Sequence, residues 1–247
     1  MKFTIGWLYP DLMNIYGDRG NILTLLKRAE WRGFDARVVE LGRGNHLEME
    51  TVDVFFFGGG QDREQALVYA DLLEFKQQPL RRAMDDGAQV LAVCGGYQLL
   101  GDYYQTAGGE KFPGIGLIDV RTEAGKRRFI GDVVVETQVA GLKPNTLVGF
   151  ENHSGRTFLG GQARPLGKIR LGHGNNGSDG FEGCVQGGVI GTYLHGSLLP
   201  KNPHLADYLI RNALKRRGAG ELSQLDDSAE LAAHERILLR APRQSNP

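Results

Sequence analysis

The 247-residue chain has little cysteine, no surplus of charge of either sign and no long apolar run. Its two cysteines, Cys94 and Cys184, are too few for a disulfide framework and cannot form a zinc site by themselves. Reduced thiols in a cytoplasmic protein are the simpler expectation. Twenty-nine basic side chains balance 29 acidic ones. That argues against the basic footprint of a nucleic-acid binder and against a polybasic membrane patch. No segment approaches the ~20 apolar residues that a membrane helix needs. The opening run from Met1 is cut short by Pro10-Asp11, so it lacks the apolar core of a signal peptide. Neither a resident metal nor a membrane span is expected.

Glycine is the residue in excess, with 36 copies. Most sit where apolar runs end, as tight strand-to-helix turns require. Phe3 to Leu8 reads as a strand, and Ile22, Leu25, Leu26 and Ala29 recur at helical spacing before Gly33. Ala36–Leu41 and Val52–Phe57 read as further strands. A helical stretch over residues 64–86 is expected to break near Pro79, and Gln89–Val93 is another buried strand. This alternation predicts a doubly wound, mostly parallel α/β sheet flanked by helices. From Gly114 to His195 short strands and glycine-rich turns are expected. Val189–Leu194 then reads as a late central strand and 204–217 as an amphipathic helix. Residues 1–217 are expected to form one domain and 218–247 a tail with a weak helix.

In sheets of this kind chemistry gathers at the carboxyl ends of the strands. Three loops can reach that edge: Asn14–Asn21, Gly58–Asp62 and Cys94–Gly96. Cys94 follows a strand directly and precedes Gly95-Gly96, the small neighbours that a nucleophile on a sharp turn needs. The Gly95 N–H is then placed to donate to an oxyanion, and the following helix would favour thiolate. The alternative is a buried structural cysteine.

A cysteine nucleophile needs a base brought near in space, normally histidine. His195 ends a strand and can share the edge with Cys94. His153 is its competitor, His46 and His204 read as solvated, and His234 lies on the tail helix. His173 sits in a Gly/Asn loop. Gly58-Gly59-Gly60 lacks the Lys-Ser/Thr of a phosphate loop and reads instead as the second oxyanion donor, near Gly60. Arg127 or Arg128 could fork onto a substrate carboxylate. Cys184 reads as packing, and Lys215-Arg216-Arg217 as a solvated helix end.

Val93-Cys94-Gly95-Gly96-Tyr97-Gln98, the upstream glycines and the strand ending in His195 resemble a class I glutamine amidotransferase. Gly149-Phe150-Glu151-Asn152-His153 and Tyr193-Leu194-His195-Gly196 are similar to segments of the cobyric-acid-synthase type. The opening segment from Leu8 to Asn21 resembles the glutaminase subunits of lipid II isoglutaminyl synthases.

The resemblance implies that Cys94 attacks the glutamine side-chain amide while His195 manages the protons. It implies that Gly60 and Gly95 stabilise the oxyanion, that Arg128 binds glutamine and that Gln98 lines its site. It also implies a separate MurT-like Mur-ligase partner that binds the lipid II acceptor, ATP and Mg, near the inner face of the membrane. No cofactor is then expected on this chain. Many class I members carry a carboxylate two residues after the histidine, where this chain has Ser197. Glu151, or a carboxylate from the partner, is expected to replace it. Two alternatives remain: a glutaminase serving a corrin or another carboxylate, and a non-catalytic module on a similar sheet.

Overall fold

The computed structural model describes residues 1–44, 51–218 and 221–241; the solvated reading of His46 lies outside them. Strand β1 (Lys2–Leu8) leads through a loop to α1 (Arg19–Glu30), then β2 (Asp35–Leu41) and β3 (Val54–Phe57). Helix α2 (Asp62–Asp71) continues through a π-helical turn, Leu72–Lys76, into α3 (Gln77–Asp85). The expected break near Pro79 therefore falls a turn earlier. Proline has no N–H and its ring crowds the carbonyl four residues back, here that of Phe75, so the helix widens there instead of ending.

Next come β4 (Gln89–Val93), the short α4 (Gly95–Leu100), β5 (Tyr103–Gln105) and β6 (Lys111–Pro113). Strands β7 (Val120–Thr137) and β8 (Thr146–Leu159) follow. The remaining elements are β9 (Gly167–Leu171), β10 (Phe181–Glu182), β11 (Cys184–Gln186), β12 (Val189–Thr192), α5 (Pro203–Lys215) and α6 (Ser228–Leu238).

The first sheet has the order β11-β12-β4-β3-β1-β2. All of its neighbours pair in parallel except β11 with β12. Every residue of β3 and nearly every residue of β4 is buried, which explains their unbroken apolar sequence. Helix α1 packs on α5, and α2 on α4. Among the described residues no helix is long and apolar enough to cross a membrane.

In the region expected to hold short strands, β9 to β12 are short but β7 and β8 are long; β7 to β10 join β5 and β6 in a second sheet, β10-β9-β7-β5-β6 with β8 paired to β7. Strands β7 and β8 run antiparallel from Val120↔Leu159 to Glu136↔Thr146, with an irregularity between Ala124 and Phe129. That irregularity, Gly125-Lys126-Arg127-Arg128, breaks the apolar alternation along β7, so the strand is longer than the sequence pattern suggests. An isolated bridge joins the sheets at the site: His195 N–H donates to the Phe150 carbonyl at 2.8 Å, and Phe150 N–H returns at 3.3 Å.

The segment beyond α5 folds back. Ile237, Leu238 and Ala241 pack on Val134, Val148 and Leu171. Arg28 is buried in α1 and bonded to Asp207 at 2.7 Å and Asp227 at 2.5 Å, which fixes that return. The end of α5 is not a solvated cluster. Arg216 and Arg217 reach Asp53 at 3.0 and 2.8 Å, because that fully buried carboxylate needs charged partners. His204, expected to be solvated, is half-buried and donates from Nε2 to the Thr146 carbonyl.

Candidate active site

Four consecutive parallel strands, β1, β3, β4 and β12, end at one edge, and each delivers a piece of the site. The β4–α4 turn carries Cys94 at φ +51° and ψ −107°, a backbone conformation that side chains strongly disfavour. Two bonds hold it there: Cys94 N–H donates to the Thr192 carbonyl at 2.9 Å, and Gln98 N–H donates to the Cys94 carbonyl at 2.9 Å. Next to it the β3–α2 turn brings Gly60 against Gly95. A Cβ on Gly95 would lie 3.0 Å from both the backbone N and O of Gly60. The Gly60 and Gly95 backbones thus meet next to Cys94, which lines the same cavity as Gly60.

His195 follows β12 and is almost wholly buried. Burial works against its charge, but Cys94 and Asp18, which face the ring, outweigh it and lift the imidazole to about 10. Neither ring nitrogen has a hydrogen-bond partner among the described residues. Asp18 Oδ1 is 3.8 Å from Nδ1, and the Tyr16 ring stands edge-on to the imidazole, with centroids 5.0 Å apart.

The cavity opening onto Cys94 is lined by Tyr16, Gly60, Gln98, Arg128, Asn152 and His153, among others. Of the two candidate arginines, Arg128 stands on this cavity. It donates to Asn152 Oδ1 at 2.8 Å. The Arg127 carbonyl accepts from Arg156 instead. The Gln98 amide is already engaged: Nε2 donates to the Tyr193 hydroxyl at 3.1 Å, and Oε1 accepts from Gln65. Gln65 also donates to the Gly60 carbonyl at 3.2 Å. Gln98 therefore anchors the Gly60 turn to the floor of the cavity. His153, the competing histidine, lies flat on Tyr193 with centroids 3.6 Å apart and donates from Nδ1 to the Gly155 carbonyl.

Glu151 is occupied elsewhere. It accepts from His173 Nδ1 at 2.6 Å and from the N–H groups of His173 and Gly174. Burial would raise its carboxyl, but His153 and His173 outweigh that and hold it below the usual range. The carboxylate that faces His195 belongs to Asp18, which the sequence reading left unnamed within the Asn14–Asn21 loop. An Asp between Gly17 and Arg19-Gly20, in a loop expected at the edge where the other pieces meet, was the available signal. Cys184 is buried against Tyr97, and burial pushes its thiol up to about 12.

A cysteine on a strained strand-to-helix turn, beside a buried histidine and a pair of glycine-rich turns, thus sits at the carboxyl edge of a mostly parallel α/β sheet. The chain belongs to the family of CobB/CobQ-like glutamine amidotransferase domains, whose model matches residues 4–203. It is 41% identical over 244 residues to the "Lipid II isoglutaminyl synthase (glutamine-hydrolyzing) subunit GatD" of Staphylococcus aureus, covering 98% of each chain. It is 39% identical to the same-named protein of Streptococcus pneumoniae, over 96% of this chain and 87% of that one. A solved glutamine amidotransferase shares the fold, with a TM-score of 0.55 at 18% identity over 87% of this chain and 99% of that one.

Proposed function

We propose that this chain is the glutamine-hydrolysing subunit of a lipid II isoglutaminyl synthase. The strained Cys94 turn facing buried His195 is the observation that carries the chemistry. The two relatives matched along nearly their whole length support the acceptor.

Arg128 holds the glutamine α-carboxylate at the cavity mouth, through a charge-assisted bond. The Cys94 sulfur attacks the side-chain amide carbon, and the C=O electron pair moves onto oxygen, toward the N–H groups near Gly60 and Gly95. Protonated His195 gives its proton to the amide nitrogen as the C–N bond breaks, so ammonia leaves and a γ-glutamyl thioester remains. Water then attacks the thioester carbon and gives a proton to His195. Collapse expels the sulfur, releasing glutamate. Gln98 contributes by holding the Gly60 turn through Gln65.

The ammonia passes to a MurT-type Mur-ligase subunit in a heterodimer. That partner binds lipid II, ATP and Mg and amidates the D-glutamate α-carboxyl to D-isoglutamine. The complex works in the cytoplasm, near the inner face of the membrane.

The test is glutamate release from L-glutamine by the wild-type chain and Cys94→Ala, each alone and with the partner. Release that depends on Cys94 and rises with the partner is expected. No release by folded wild-type protein in a demonstrated complex would overturn the reading.

A further inference from the structure

An aspartate at a helix N-cap ordinarily spends its carboxylate on the first amides of that helix. Asp18 holds this position on α1 but makes no side-chain cap bond. The Arg19 N–H is met by Asn14 Oδ1 instead, at 3.1 Å. The Asp18 carboxylate is turned into the site. Oδ2 accepts the Gly59 N–H at 2.6 Å. Oδ1 has no hydrogen-bond partner among the described residues and lies 3.8 Å from His195 Nδ1. Both side chains are fully buried.

We propose that Asp18 is the positioning residue of His195, orienting the ring and holding its charged form from within this chain. The proposal deepens the glutaminase reading and rests on it. A buried carboxylate oxygen without a donor is costly unless a charge lies opposite. The groups facing His195 are Asp18 from the β1–α1 loop, Cys94 from the β4–α4 turn and the Tyr16 ring. Glu151, a second buried carboxylate, is spent on His173 and Gly174.

The loop is built to deliver this group. A Cβ on Gly58 would lie 2.3 Å from the Met13 carbonyl and 2.8 Å from Asp18 Oδ2. One on Gly59 would lie 2.8 Å from Ile15 and 3.0 Å from His195 Cε1. Only glycines let loop, turn and imidazole approach this closely. One side chain thus couples His195 to the Gly58–Gly60 turn. A shift of about 1 Å would bring Asp18 and His195 into hydrogen-bond range, the kind of tightening that accompanies substrate.

Asp18→Asn keeps an oxygen for the Gly59 N–H but removes the charge. With the ligase partner present, kcat for glutamate release is expected to fall by about 10- to 100-fold while KM for glutamine changes by less than about threefold. In the isolated chain, NMR titration of the His195 ring is expected to drop by at least about one pH unit. Asp18→Ser, whose hydroxyl can also accept from Gly59, gives the same comparison should the Asn variant not fold. An unchanged kcat or an unchanged His195 titration overturns the proposal. Absence of glutamate release by the wild-type complex would instead remove the glutaminase reading, and the titration would still decide whether Asp18 holds the imidazole.

Discussion

The Ser197 hydroxyl donates to the Gly17 carbonyl at 2.5 Å. Ser197 lies two residues past His195 and Gly17 one before Asp18, so this bond ties the two sides of the imidazole together. Gly20, in the first turn of α1, presses on the same serine. An added Cβ would lie 2.2 Å from Ser197 Oγ and 2.7 Å from its Cβ. Exchanging Gly for Ala inside a helix normally gains about 0.5–1 kcal/mol. Gly20→Ala is expected to reverse that sign and cost about 1–3 kcal/mol through overpacking. In a Ser197→Gly background, where φ +51° suits glycine, most of the cost should vanish. Urea unfolding of the four proteins closes the cycle, and additive effects would refute the coupling.

Backbone strain at Cys94 gives a second prediction. Its dihedrals suit glycine, and holding a side chain there costs about 1–3 kcal/mol. Glycine carries an unfolded-state entropy penalty of about 0.5–1 kcal/mol relative to alanine. Cys94→Gly should therefore be more stable than Cys94→Ala, with a melting temperature higher by about 2–4 °C. Both variants should lose glutamate release. Calorimetry giving equal midpoints would show that the turn is not strained.

Arg128 tests the binding end of the cavity. Its guanidinium already donates to Asn152, which sets the orientation of the fork. Lysine keeps the charge but not that planar geometry. Arg128→Lys should raise KM for glutamine by about 10- to 100-fold, as loss of a charge-assisted bond implies, with kcat within about threefold. Steady-state kinetics with the partner present decide it, and an unchanged KM would remove Arg128 from substrate binding.

Much of this architecture was legible because local chemistry and tertiary role coincide. The β3 and β4 runs are apolar throughout because both faces are covered, and Cys94-Gly95-Gly96 records the strained turn itself. What escaped depends on approach in space. The loop that carries Asp18 is legible as part of the sheet edge, but the meeting of Asp18 with His195, 177 positions later, is not. Arg216 and Arg217 look like an exposed basic run until buried Asp53 is seen beneath them. The β7–β8 ribbon escapes a reading as long strands because its alternation is interrupted by the charged stretch between Ala124 and Phe129, where the register shifts before pairing resumes.

Glu182 makes the last prediction, beneath the site. Its side chain is fully buried, with Oε1 accepting from Thr192 Oγ1 at 2.6 Å and from Tyr193 N–H at 2.7 Å, while Oε2 has no hydrogen-bond partner among the described residues. Burial raises the carboxyl to about 7, and these hydrogen bonds restrain the rise only in part. The folded protein therefore holds this proton more tightly than the unfolded chain does. Its stabilising contribution is complete below the ordinary carboxylate value and is lost as pH rises through about 7. His204, pushed by burial down to about 4, slopes the opposite way over part of that window, and His195, lifted to about 10, slopes the same way toward its upper end, so the wild-type profile alone mixes them. Comparison with Glu182→Gln separates them, since the amide can keep the Oε1 bonds but binds no proton. The stability of Glu182→Gln relative to wild type should rise by about 2–3 kcal/mol between pH 5 and pH 8. Urea unfolding at both pH values measures the difference directly, and a constant gap between the two proteins would show that Glu182 is ionised throughout.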